Sequence, residues 1–283
     1  IDENLSDWPQ QSVKYMNETH MSNTRPANES DFSGFFQLGY RLDNQSLYLA
    51  FSITDSDFIE DTSANVRFDS QDGLELCLDA RHLASGSGVA SFMYSKKLRN
   101  TNHAFYDPFA SNASWKIMEV ATRHEGNTRF YEWRIILGSE LVVGKSIGFD
   151  FMLFDKDTDG SFSFTGWGNG GSKYRNPYAL GDVIILPANE KLATVAGNVA
   201  WDQPINTKLP EQVRLTAVNN PKLWIETELD SLGNYSVEVP AGKYEVSFRH
   251  AYLQRDNKVY ATAQKQPITV HARAGQKAAA SKL

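Results

Sequence analysis

The stretches QDGLELCLD (Gln71–Asp79), YEWRIILGSELVVGKSIGFDFMLFDKDTDG (Tyr131–Gly160) and TGWGNGGSKYRNPYALGDVIIL (Thr165–Leu186) decide the fold of this chain. In the first, Leu74, Leu76 and Leu78 alternate with Gly73, Glu75 and Cys77, a period of two that places alternate residues on opposite faces of a strand. The second holds an aromatic-flanked strand, a short turn, and an apolar strand that ends in aspartates at every other position. The third is a Trp-Gly-Asn-Gly loop that leads into a last strand.

Outward from these segments the same alternation recurs, bounded by Gly, Asn, Asp and Ser, while helical periodicity is scarce. Strands are predicted at 35–42, 46–54, 73–79, 90–95, 115–124, 129–137 and 148–154, with one short helical stretch near 139–142. Asp43-Asn44-Gln45 reads as a hairpin turn, because Asp and Asn tolerate a positive φ. Strands of this number and spacing predict an all-β chain: a two-sheet antiparallel β-sandwich of jelly-roll type, then a smaller β-sandwich.

The 283 residues suffice for about two domains, and the 41% hydrophobic content suffices for their cores. A net charge of −6 argues against nucleic acid, which calls for a clustered basic face to neutralise phosphates. No run of about 18 apolar residues exists to span a membrane. The chain opens at Ile1, inside what reads as a first strand, as a trimmed or mature product would. The single cysteine, Cys77, excludes an internal disulfide and reads as a packed thiol on the face shared with Glu75.

In their order, and with the opening IDENLSDW, the three segments resemble the family 9 carbohydrate-binding modules and their DOMON-like relatives over roughly residues 1–187. After Pro187-Ala188-Asn189-Glu190 the pattern changes. Gly233-Asn234-Tyr235 and Pro240-Ala241-Gly242-Lys243-Tyr244, with Val237, Val239, Val246 and Phe248 in alternation, resemble the carboxypeptidase regulatory-like, transthyretin-like domains. That resemblance implies two strands joined by a tight turn and a spacer role. The domains expected are 1–189 for the first sandwich, 190–275 for the second, and 276–283 as a polar linker or tag tail.

No Gly-X-Ser-X-Gly elbow, Walker loop or dinucleotide fingerprint occurs. His124-Glu125 begins like a zinc-protease motif, but Thr128 stands where the second histidine belongs. The reading is therefore noncatalytic. Asp155, Asp157 and Asp159 before Gly160 offer hard oxygen ligands suited to calcium. It is not an EF-hand, since Gly166 occupies the position of the final glutamate. The resemblance implies a comparable acidic turn, so a structural calcium is expected there.

Sugar recognition calls for aromatic faces to stack on pyranose C–H groups and polar side chains to fix hydroxyls. Trp167, Asn169, Tyr174, Arg175 and Asn176 gather such groups around one Gly-rich loop, whereas Trp115 and Trp133 lie in alternating strands as core residues. The resemblance implies a two-aromatic clamp. One clamp position falls on Asp69, which cannot stack, and the other on Tyr174, which can. Glu75 matches the hydroxyl-binding glutamate, the arginine of the next strand is replaced near Met93, the loop asparagine is replaced by Gly171, and Trp167 matches a fold-supporting position.

The function expected is that of a glycan- or small-molecule-binding module with a spacer domain, periplasmic or extracellular, in a larger exported or surface protein with a further downstream domain. The rival readings are a sensory ectodomain of a membrane receptor and a structural or adhesion module with protein partners.

Overall fold

The computed structural model describes residues 4–8, 13–14, 18–19, 26–61, 69–82, 93–98, 118–167, 180–187, 189–199, 212–248, 252–255, 258–261 and 268–280. It is all-β and divides into two compact units, residues 1–141 with 147–183, and residues 142–146 with 184–283. The second unit thus begins earlier than the expected boundary at 189/190 and also takes in the short connection that follows Leu141.

The first unit contains β1 (Val13–Lys14), β2 (Glu18–Thr19), β3 (Phe32–Arg41), β4 (Ser46–Asp55), β5 (Gly73–Asp79) and β6 (Met93–Leu98). It continues with β7 (Met118–Glu125), β8 (Thr128–Ile136), β9 (Ser146–Lys156), β10 (Phe162–Gly166) and β11 (Gly181–Ile184), of which only the terminal residues Ser146 and Ile184 fall in the second unit. One sheet runs β1-β3-β4-β8-β7, and the other runs β2-β10-β9-β5-β6 with β11 also on β9. The inner faces follow the sequence alternation: Leu47, Leu49, Phe51 and Ile53 on β4 and Tyr131, Trp133 and Ile135 on β8 are buried, as are Leu74, Leu76 and Leu78 on β5. Phe151 of β9 joins the two sheets, its ring 4.9 Å from that of Phe36 and 5.1 Å from that of Phe51, both edge to face. Trp133 is a core residue as expected, and Trp115 lies outside the described residues.

The strand at 73–79 matches the sequence reading, and others lengthen because pairing carries them past the apolar alternation. β3 pairs residue for residue with all of β4, from Phe32↔Asp55 to Arg41↔Ser46. β6 sits at 93–98 instead of 90–95, its register fixed by Asp79↔Met93 and Leu74↔Leu98. The helical stretch expected near 139–142 is a single 3-10 turn at Gly138–Glu140. In the first hairpin the left-handed backbone falls on Gln45, at φ 52, not on Asp43 or Asn44. There the Asp43 carboxylate accepts the Asn44 amide at 2.9 Å, while the Gln45 carbonyl turns to accept the Leu137 and Gly138 amides.

The second unit contains β12 (Leu192–Asn198), β13 (Gln212–Ala217), β14 (Trp224–Glu228), β15 (Asn234–Pro240) and β16 (Gly242–Phe248), then β17 (Tyr252–Arg255), β18 (Lys258–Ala261), β19 (Ile268–Ala272) and β20 (Lys277–Ala279). Sheets β15-β12-β20 and β14-β13-β16-β19, with the hairpin β17-β18, enclose a core of Val195, Val213, Leu215, Tyr235, Val239, Tyr244 and Val246. The tight turn between β15 and β16 joins the two sheets and does not close a hairpin, because β15 pairs β12 while β16 pairs β13 and β19. Tyr244 donates its hydroxyl to the Pro240 carbonyl at 2.9 Å and braces that corner. Tyr235 lies against Gly197, where an added Cβ would stand 2.6 Å from the ring Cζ, so only glycine fits. The tail expected as a linker contributes β20, parallel to β12.

Candidate functional site

Glu75 projects from the face of β5 opposite Leu74 and Leu76, and its register partners are Met152 on β9 and Lys97 on β6. That face is not open to water: every residue of β9 from Ser146 to Asp155 is buried, and Glu75 is 2% exposed. Met152, Phe154 and Phe164 form a separate apolar cluster on the same side, with Phe162 packed against it. The sheet is therefore covered on both sides, which alternation alone does not reveal, since the residues on the second face include Glu75, Cys77, Asp79 and Asp150.

Trp167 turns its ring into the sandwich, 5.7 Å from Phe36 and 6.1 Å from Phe149 between centroids. Its outer edge fills the space over Gly181, where a Cβ would lie 2.8 Å from Cε3 and 2.9 Å from Cη2. The residue ties the two ends of the Gly-rich loop to each other and to the core. Asn169, Tyr174, Arg175 and Asn176, together with Gly171, lie outside the described residues.

At one end of the same sandwich three buried carboxylates meet: Asp55 from the end of β4, Asp72 from just before β5, and Asp155 from the end of β9, each with an oxygen within 4.8 Å of the others. Asp72 accepts the Ile59 amide at 2.6 Å and the Lys156 amide at 2.7 Å. Asp55 accepts the Asp57 amide at 3.0 Å, and Asp155 accepts the Ser163 hydroxyl at 2.9 Å through Oδ2. Oδ1 of Asp155 is buried with no hydrogen-bond partner.

Arg129 of β8 reaches Asp72 at 3.3 Å and Asp55 at 3.5 Å, with its guanidinium 3.0 Å over the Phe58 ring. One guanidinium against three carboxylates leaves the site electron-rich. Burial accordingly pushes the carboxyls up, Asp55 to about 6, Asp155 to about 7 and Asp72 to about 8, the last raised further by the charge of Asp55. Oxygen-only donors, an orphaned buried carboxylate oxygen and uncompensated negative charge are what a hard divalent cation relieves.

Of the three aspartates singled out from the sequence, only Asp155 belongs to this cluster. Asp157 accepts the Ser161 hydroxyl at 2.5 Å, and Asp159 accepts the Ser161 amide at 2.7 Å. These contacts close their own turn and hold the exposed Asp159 carboxyl below its usual range. Asp55, Asp72 and Arg129 were missed as site residues because they converge only through the sheets. One signal existed: Asp55-Ser56-Asp57 at the end of β4 and Asp155-Lys156-Asp157 at the end of β9 repeat the same Asp-X-Asp step.

Comparison with known proteins bears on the first unit. The carbohydrate family 9 binding domain-like family matches residues 1–187. A family 9 carbohydrate-binding module from Caldicellulosiruptor kristjanssonii in complex with glucose is similar with a TM-score of 0.53 at 17% identity, covering 66% of this chain and 90% of that one. The same organism's module in complex with cellotriose gives 0.53 at 16% identity, covering 67% and 90%. The major pilin subunit of Bacillus cereus covers 84% of this chain and 64% of its own at 11% identity, but its TM-score of 0.27 carries no argument. No curated protein matches the chain.

Proposed function

The chain belongs to the carbohydrate family 9 binding domain-like family, and from that premise we propose that it is a noncatalytic glycan-binding module of an exported protein, carried with a spacer domain. The observation that carries this reading is the family match over residues 1–187, on a fold shared with modules whose complexes hold glucose and cellotriose. The ligand class is a β-glucan end or oligosaccharide. Tyr174 is the stacking platform, Arg175 and Asn176 are the hydrogen-bond donors, Asn169 belongs to the same Gly-rich segment, and Glu75 is the acceptor. With Asp69 at the second clamp position, stacking comes from one side only, so affinity is weak.

A calcium ion bound by Asp55, Asp72 and Asp155 completes the proposal. The unpartnered Asp155 Oδ1 supports it. The metal serves the architecture: it joins the ends of β4 and β9 to the start of β5 and neutralises carboxylates that burial otherwise protonates. The second unit, whose core is apolar throughout, acts as a spacer of transthyretin-like type.

The test is a thermal-shift titration of the full chain with glucose and cello-oligosaccharides, with calcium and again with chelator, because a ligand selective for the folded state raises its apparent stability. A saturable shift with one sugar class, lost in Tyr174→Ala, establishes the site. A Tyr174→Ala variant with undiminished affinity removes Tyr174 from it, and no shift with any sugar overturns the glycan reading.

A further inference from the structure

Four charged residues continue the core-facing alternation of their strands at one end of the first sandwich. Asp55 follows Leu47, Leu49, Phe51 and Ile53 on β4, Asp72 precedes Leu74 and Leu76 of β5, and Asp155 follows Phe151 and Leu153 on β9, all of them buried. Arg129 precedes Tyr131 and Trp133 on β8, opposite Ile53 of β4, and is buried as well. Each apolar series thus ends in a charge, three negative and one positive. Core packing does not call for this, because every ionised group taken from water gives up its hydration.

The positive charge is the one that cannot be removed by deprotonation, since a guanidinium stays charged in proteins. It is also enclosed. Nη2 of Arg129 donates to Oδ2 of Asp72 at 3.3 Å and to Oδ2 of Asp55 at 3.5 Å, and the Phe58 ring lies 3.0 Å from its guanidinium carbon. Phe58 is placed by the same carboxylates: the amide before it, that of Asp57, donates to Asp55 Oδ1, and the amide after it, that of Ile59, donates to Asp72 Oδ2. Lys156 is the other cation nearby, and its Nζ is engaged by the Gly160 and Ser161 carbonyls. Among the described residues, Arg129 is therefore the cation that the three carboxylates hold. Asp31 and Asp157 stand outside the cluster and are half-buried, where water screens them; Asp31 accepts the Ala27 amide and the Ser56 hydroxyl, and Asp157 accepts the Ser161 hydroxyl.

We propose that Arg129 sets the charge of the calcium site: it is a permanent internal cation that fixes the deficit of the three carboxylates at two, and so matches the site to a divalent ion and disfavours a trivalent one. The inference rests on the calcium reading above. With Asp55, Asp72 and Asp155 ionised, a divalent ion brings the enclosed cluster to neutrality, whereas a trivalent ion leaves a buried positive charge beside the guanidinium. Arg129 is not a ligand. It acts through the field it places on the ion and through the two carboxylates it orients, while Oδ1 of Asp155 stays open as a donor. The Phe58 ring keeps water from the guanidinium and so preserves that field.

The experiment uses the full chain and two probes of similar size and different charge, calcium and terbium, at one fixed pH and ionic strength. Affinities are read by calorimetry and by calcium displacement of terbium luminescence in wild type, Arg129→Lys, Arg129→Gln, Asp55→Asn and the double variant Asp55→Asn/Arg129→Gln. Asp55→Asn/Asp155→Asn serves as the blank for ions held elsewhere on the acidic chain. One unit of charge removed a few ångström from the ion, at an effective dielectric of about 20, favours the trivalent over the divalent ion by about hundredfold. Arg129→Gln is therefore expected to raise the terbium-to-calcium affinity ratio about hundredfold. Arg129→Lys, which keeps the charge and loses the fork, leaves the ratio within about threefold of wild type. The double variant, whose deficit is again two, returns the ratio close to the wild-type value. An unchanged ratio in Arg129→Gln overturns the charge-setting role and leaves the calcium reading standing. If Arg129→Gln does not fold, Asp55→Asn and the double variant decide in its place, since they too differ by the guanidinium alone: a ratio about hundredfold higher in the double variant upholds the role, and an equal ratio sinks it. A wild type that binds neither ion overturns the calcium reading and this role together.

Discussion

The two units of this chain bury different things. In the first, Asp55, Asp72, Glu75, Asp79, His82, Arg129, Glu132, Asp150 and Asp155 are buried among the strands, while in the second the described buried polar residues are Lys145 and Ser146 alone. Arg214 of the second unit makes its pair with Glu226 at 2.7 Å in a partly buried setting and rests over Trp224. Burying an ionisable group costs free energy unless it is paired and hydrogen-bonded. A unit that tolerates so many of them has structure beyond what packing alone calls for, and the described part of the second unit shows far fewer. The contrast supports the proposal above that binding belongs to the first unit and spacing to the second.

The sharpest way to break that contrast is Asp72→Ala. It removes the acceptor of two backbone amides and a partner of Arg129, and the expected loss is about 3–5 kcal/mol in denaturant unfolding with calcium present. It also abolishes any calcium-induced rise in Tm. A loss below about 1 kcal/mol would place this site with ordinary surface pairs.

Next in size is a matched pair of glycine substitutions. Gly181→Ala forces a methyl group against Trp167 and Gly197→Ala forces one against Tyr235, and each is expected to cost about 1–3 kcal/mol by overpacking. Calorimetry with cellotriose then separates the units: Gly181→Ala weakens sugar binding, and Gly197→Ala leaves it intact.

A pH series sharpens the contrast further. The folded pKa values of Asp55, Asp155 and Asp72, about 6, 7 and 8, lie above the ordinary 3.8, so protonation favours the folded state. Their stabilisation is complete below about pH 4 and is lost as the pH rises through 6 to 8. In chelator, Tm should therefore fall over that window. With calcium, which binds the deprotonated carboxylates, the fall should flatten, and Asp55→Asn/Asp155→Asn should remove the difference between the two conditions.

The smallest effect belongs to the second unit. Arg214→Ala should cost about 0.5–1 kcal/mol, as expected for a partly exposed ion pair with one cation–π contact, with no change in sugar affinity or calcium response.

Alternation alone placed the inner faces of β4, β5 and β8, because a strand's side chains must alternate and its apolar ones must leave water. It identified the Trp133 core position and the packed Cys77, both of which are local patterns. It could not show that the Glu75 face of β5 is covered, because burial of a second face is set by distant segments. Nor could it separate Asp155 from Asp157 and Asp159: the three are equivalent along the chain, and the sheet turns only the first toward Asp55 and Asp72. The hydrogen-bonded side chains of His82 and Asp182, one hundred residues apart, leave no mark on any local pattern. The sequence by itself determined the all-β class and the apolar faces of strands such as β4, β5 and β8, since these follow from backbone geometry and hydration residue by residue. Only the tertiary structure decided which charges share a site, because convergence depends on strand order and register, and these are settled by the whole sandwich at once.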